Sequence, residues 1–176
     1  MSNLKQAAIL AQLIEKLRSR GSWAGETHIQ KACFFMQNLF DGEDDFDFIL
    51  YHYGPFSFDL RDKLENMLAE GFVELDRALG YGPQFRVTDR GKMLMEKFPN
   101  ALGNRMEQIE GTANFVRNRN AGELERTSTA LFLIRKNKGA SDSEIVRELV
   151  KIKPHVPKEA ALEAVHEIKS VLAAAL

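Results

Sequence analysis

The sequence predicts a mainly α-helical protein with a small β-hairpin wing, on three observations. Over most of the chain, apolar residues return at spacings of three and four, the repeat of an amphipathic helix. Two short segments, 73–76 and 84–88, alternate apolar and polar residues, the repeat of half-buried strands. Between these regimes, the stretch Tyr51-His52-Tyr53-Gly54-Pro55-Phe56-Ser57-Phe58-Asp59-Leu60-Arg61 halts an aromatic extended segment at Gly-Pro and starts a helix directly behind it.

The elements follow in order. Leu10, Leu13, Ile14 and Leu17 share one face of a first helix that ends near Gly21. Thr27 and Gln30 have capping-box spacing and open a second helix, with Ile29, Ala32, Cys33, Met36, Leu39 and Phe40 on its apolar face. Asp41-Gly42-Glu43-Asp44-Asp45 ends that helix. The run lacks the sixth-position glycine and the closing glutamate of a calcium loop, so it reads as a solvated acidic loop.

Ile49 to Tyr53 reads as a short strand, because Pro55 fixes its own φ and biases Gly54 toward extended geometry. Ser57 is an N-cap, and Asp59 favours the positive end of the helix behind it. Leu60, Leu64, Met67 and Leu68 form that helix's buried stripe, Gly71 supplies its left-handed terminus, and Phe72 folds back over the last turn. Val73 and Leu75, then Phe85 and Val87, point inward from two strands joined through Gly80, Gly82 and Pro83. Thr88 caps a helix carrying Met93, Leu94 and Phe98. A hairpin beside three helices is a winged helix, assigned to residues 1–99.

Residues 100–176 read as a helical subdomain packed on it. Leu102, Met106, Ile109, Ala113 and Val116 form one stripe, and Arg117-Asn118-Arg119-Asn120 interrupts it. Leu124 begins a helix containing Ala130-Leu131-Phe132-Leu133-Ile134, apolar on every side and therefore expected at the centre, between the two halves. Ser141 and Glu144 form a capping box ahead of Ile145, Val146 and Leu149. Pro154 and Pro157 precede a last helix with Leu162, Val165, Ile168 and Leu172.

Composition points to a soluble protein of the cytoplasm. The longest apolar run is far too short to span a bilayer, no signal-peptide pattern opens the chain, and Cys33 is the single cysteine. Lys and Arg number 24 against 25 Asp and Glu, so the chain lacks the strong positive field of a dedicated nucleic-acid binder.

On Ile29-Gln30-Lys31-Ala32, Tyr53-Gly54-Pro55-Phe56-Ser57, Leu60, Leu68 and Gly71-Phe72, the first hundred residues resemble the winged-helix superfamily that contains the Panacea antitoxin domain and the YwgA-type proteins. Glu125-Arg126-Thr127-Ser128-Thr129-Ala130 and Leu149-Val150-Lys151-Ile152-Lys153-Pro154 extend the YwgA-type resemblance into the second half. The resemblance implies small prokaryotic or phage proteins, several of which neutralise toxins by binding them, and it implies no catalytic residues.

The residues themselves suggest no enzyme. His28, His52, His155 and His166 have no ligand spacing, one cysteine cannot build a structural zinc site, and no phosphate-binding glycine loop occurs, so no metal or cofactor is expected. A Ser57–His52 nucleophile–base pair lacks a third member and a nucleophile elbow. Two binding modes remain. A protein partner, with a homodimer among the arrangements open to it, would meet Tyr51, Tyr53, Phe56, Phe58 and Arg61, aromatics that cannot all point inward. Alternatively, helix 57–70 would enter a DNA groove with Arg61, Lys63 and Asn66, while Arg86, Arg90 and Lys92 on or near wing 72–88 hold phosphates. That helix carries Asp59, Asp62, Glu65 and Glu70, which oppose a phosphate backbone, so the protein partner is preferred.

Overall fold

The structure is a computed structural model describing residues 2–40, 46–77 and 82–174; the acidic run 41–45 and Gly80 lie outside the described residues. Among these residues the chain is mainly helical, with two small antiparallel hairpins. The order is α1 (Asn3–Ser19), α2 (Glu26–Asn38), β1 (Ile49–Tyr51), β2 (Gly54–Phe56), α3 (Phe58–Ala69), β3 (Val73–Asp76), β4 (Gln84–Val87) and α4 (Asp89–Glu96). There follow α5 (Pro99–Gly103), α6 (Met106–Val116), α7 (Ala121–Lys136), α8 (Asp142–Ile152) and α9 (Lys158–Ala174). No helix among the described residues is long and apolar enough to cross a membrane.

The local signals around α3 act as their chemistry dictates. The Ser57 hydroxyl accepts the Leu60 N–H at its start. At its end Gly71 takes φ +72°, with the Gly71 N–H donating to Leu68 O and the Phe72 N–H to Met67 O, the paired bonds of a Schellman terminus. Thr88 caps α4 through Gly91 N, and Ser141 with Glu144 closes a reciprocal box on α8. The Asn120–Glu123 pair does the same on α7, starting that helix three residues ahead of Leu124.

Four expectations are corrected. Thr27 does not cap α2: Gly25 occupies that position without a side-chain bond, and Gln30 turns inward to another segment. Residues 49–53 are not one strand, because the chain reverses at His52-Tyr53 and pairs Ile49 with Phe56 and Tyr51 with Gly54. Gly54 is therefore not extended but sits at φ +88°, the positive-φ position after a short turn that glycine occupies without strain. Leu75, Met93 and Leu162, placed on buried stripes, are exposed. Leu75 pairs with Phe85 in the β3–β4 hairpin, where only Val73, Phe85 and Val87 reach the core.

α1 is buried on nearly every side and touches β4, α4, α5 and α6. α2 lies across α6, α7 and the β1–β2 hairpin, through Phe35 against Phe115 (ring centroids 4.9 Å) and Phe34 against Phe132 (6.3 Å). α7 sits between α2 and β2 on one side and α8 and α9 on the other, with Ala130, Leu131 and Leu133 fully buried. The central place expected of the all-apolar run is the one it takes.

β2 rests on the polar part of the same helix. A Cβ on Gly54 would lie 3.1 Å from Ser128 Oγ and from Thr129 Oγ1 and 3.3 Å from Glu125 O. Gly54→Ala thus adds a steric conflict to an unfavourable positive φ, and is expected to lower the unfolding free energy by about 1–3 kcal/mol. Denaturant melts would check this; an unchanged midpoint would mean that the turn relaxes without resistance.

Candidate functional site

The β1–β2 hairpin and the first turn of α3 gather an aromatic cluster at the surface. Tyr51 lies 5.7 Å from both Phe56 and Phe58, ring centroid to centroid, and Phe56 lies 5.2 Å from Phe58. His52 packs against Tyr51 at 4.3 Å with the rings tilted by 57°; the turn removes the strand alternation that would have sent the two rings to opposite faces. The Arg61 guanidinium covers the Phe58 ring at 5.0 Å. Tyr53 at the tip is 69% exposed, Tyr51 45% and Phe58 41%, while Phe56 is half-buried beneath them. The described residues of the second half leave Tyr51, Tyr53 and Phe58 exposed; Tyr51, Phe56, Phe58 and Arg61 touch one another, and Tyr53 stands beside them at the hairpin tip.

Under the patch the hairpin is held by buried polar groups from three separate segments. Gln30 on α2 accepts the Ser57 N–H and donates to the Ser57 carbonyl, both at 2.9 Å, fixing the junction between β2 and α3. Lys31, one residue on, donates to the Pro55 carbonyl at 2.7 Å. Lys153, at the end of α8, donates to the carbonyl of His52 and, at 3.5 Å, to that of Tyr51. Its charge is paired with Glu125 on α7 at 2.7 Å, and His155 lies 3.5 Å from the other Glu125 oxygen. Gln30, Lys31, Glu125 and Lys153 are all buried. Burial pushes the Lys31 ammonium down to about 8, against the opposing pull of Glu125.

Sequence reasoning did not assign these groups a role, because they come together only in the folded chain. Positions 30, 31, 125 and 153 are too far apart in the chain for spacing alone to connect them.

The DNA-contact candidates fare differently. Lys63 does not point outward; it is buried and its ammonium donates to the backbone and side-chain oxygens of Asn3, so it cannot reach a base edge. Arg61 is engaged by Phe58, by Asp62 at 3.4 Å and by Glu65 at 3.9 Å. Arg86 pairs across the hairpin with Glu74, Lys92 lies 3.7 Å from Asp89, and Arg90 covers the Phe72 ring at 5.4 Å. Asn66 is exposed on α3, but the exposed charged residues there are Asp59, Asp62 and Glu65, with Glu70 exposed at its C-cap.

Ser57 and His52 keep separate company, the first as a helix cap and the second as a ring tilted against Tyr51. His28 is buried 3.3 Å from the Arg119 carbonyl, and desolvation lowers its pKa. No protein-family model matches the chain, and no curated protein matches it.

Proposed function

We propose that the chain is a non-enzymatic winged-helix binding protein that docks on a partner protein through the β1–β2 hairpin, in an antitoxin-like manner. The order α1, α2, α3, then the β3–β4 wing and α4, supports the winged-helix reading. One observation carries the docking reading: the rings of Tyr51, Phe56 and Phe58 and the Arg61 guanidinium are in mutual contact at the surface, beside the exposed Tyr53, on a hairpin anchored by buried hydrogen bonds. Exposed apolar patches mark interaction sites, and aromatic residues with arginine supply most binding hot spots. Anchoring the backbone beneath the rings lowers the ordering cost of association.

The alternative, a DNA-binding regulator, has less support. Of the basic residues on α3, Lys63 is buried and Arg61 is engaged, so the helix would offer a groove chiefly carboxylates.

The test pairs two surfaces. Tyr53→Ser with Phe58→Ser is expected to abolish recovery of the partner from lysate of the source cells, at an unchanged melting temperature. Met93→Ser, which removes a 60%-exposed apolar residue elsewhere, should leave recovery intact. Equal recovery by all variants would reject the hairpin as the docking surface. Tight, sequence-selective duplex binding at physiological salt, lost when Arg86 and Arg90 become glutamate, would establish the DNA reading instead.

A further inference from the structure

Beside the aromatic patch, α2 and the hairpin enclose a cavity of about 220 Å³ lined by Glu26, Thr27, Lys31, Tyr51, Tyr53 and Phe56, among others. Three features set it apart from a mere surface dimple. Lys31 is 1% exposed yet contributes to the lining. An ammonium carries three N–H donors, and among the described residues Lys31 has one hydrogen-bond acceptor, the Pro55 carbonyl. The buried charges around it also fail to balance, since Lys31 and Lys153 carry two positive charges against the single negative charge of Glu125. Buried charges are ordinarily paired, so a net positive charge with unfilled donors calls for an anionic acceptor.

We propose that this cavity receives one carboxylate of the docking protein, an Asp or Glu side chain inserted between α2 and the hairpin onto Lys31. The inference rests on the docking reading and names the chemistry that its partner must present. Size favours a side chain over a free metabolite, because small-molecule pockets typically enclose roughly 300–1,000 Å³. Position favours it too: Tyr51, Tyr53 and Phe56 belong both to the cavity lining and to the exposed patch, so a protein covering the patch brings its own side chains over the mouth. Glu26 on the rim opposes an anion, and Thr27 beside it adds a hydroxyl donor. The charged and titratable groups facing Lys31 are Glu26 on its own helix, Tyr51, His52 and Tyr53 on the hairpin, Glu125 on α7 with His155 against it, and Lys153 after α8.

Propionate reproduces the end of a glutamate side chain and propionamide is its neutral counterpart. The Lys31 side chain of the full-length protein would be titrated by NMR in each, at ionic strength matched with sodium chloride. Saturable propionate binding is expected to raise the Lys31 midpoint by about one pH unit, a tenfold preference for the charged amine. Propionamide and chloride should leave the midpoint in place. Lys31→Met should abolish the propionate response of the Tyr51 and Tyr53 resonances; if that variant does not fold, the wild-type titration decides alone. An unmoved midpoint, or an equal shift with chloride or propionamide, overturns the carboxylate receptor while leaving the hairpin docking test untouched. Conversely, a propionate response that persists in a protein whose Tyr53 and Phe58 substitutions cost no partner binding would assign the cavity to a free carboxylate and overturn the inserted side chain.

Discussion

Glu125→Gln is expected to lower the unfolding free energy by about 3–5 kcal/mol, the cost of removing one partner from a buried ion pair. The substitution preserves shape and deletes only charge. What remains is Lys153 without its partner at 2.7 Å and Lys31 without its main electrostatic support, both buried. Desolvating an ammonium costs several kcal/mol when no counter-charge offsets it. Lys153 also holds the His52 and Tyr51 carbonyls, so the effect should reach the hairpin and loosen the aromatic patch.

The same substitution should drive the Lys31 pKa still further below about 8, because Glu125 is the charge that raises it. The sign for stability follows. A folded-state value below the usual 10.5 of lysine means that the unfolded chain binds more protons between those limits. Lys31 therefore opposes folding at neutral pH, and its penalty is relieved as pH rises from about 8 toward 10.5. Denaturant melts of wild type, Glu125→Gln and Glu125→Gln/Lys153→Met would test both points. The double variant should recover part of the loss, since it no longer buries an unpaired lysine there. A loss under about 1 kcal/mol would show the pair behaving as a surface one.

What the sequence makes legible here is what local chemistry decides. Ser57, Thr88, Ser141 with Glu144, and Gly71 each act on backbone groups within a few residues, and each acts as its type requires. The hairpin is half legible: Gly-Pro ends the extended segment, but the pairing of Ile49–Tyr51 with Gly54–Phe56 and the close approach of Gly54 to Ser128 and Thr129, more than seventy residues away, are set by the fold. Binary patterning placed Met93 and Leu162 inward because a helix stripe does not say how wide its covered face will be. The aromatic patch could be foreseen as a surplus of rings over inward positions. The lysine-carboxylate cluster could not, because its charges sit at 31, 125 and 153 and only the packing of α2, α7 and α8 brings them to one hairpin.

Cutting the chain after Pro99 is expected to destroy the native state of the N-terminal part, though the fragment would still contain the sequence of every element from α1 to α4. The reason lies in what α5 to α9 cover. α1 packs on α5 and α6, and α2 packs on α6 and α7, so two helices buried on nearly all sides would each lose a face. Phe35 would lose Phe115, Phe34 would lose Phe132, and Lys31 would lose Glu125. Fully burying a large apolar side chain contributes about 1.5–3 kcal/mol, against a total stability of roughly 5–15 kcal/mol for a whole domain. Exposing a handful of such side chains therefore exceeds what the fragment could tolerate. The hairpin would go with it, for β2 rests on α7 and its carbonyls on Lys153. Full-length protein should accordingly melt in one transition followed identically by far-ultraviolet circular dichroism and Trp23 fluorescence. The 1–99 fragment should bind a hydrophobic dye and lack dispersed amide resonances. Two resolved transitions, or a soluble and well-dispersed fragment, would make residues 1–99 and 100–176 independent domains, and the aromatic patch would then belong to the first alone.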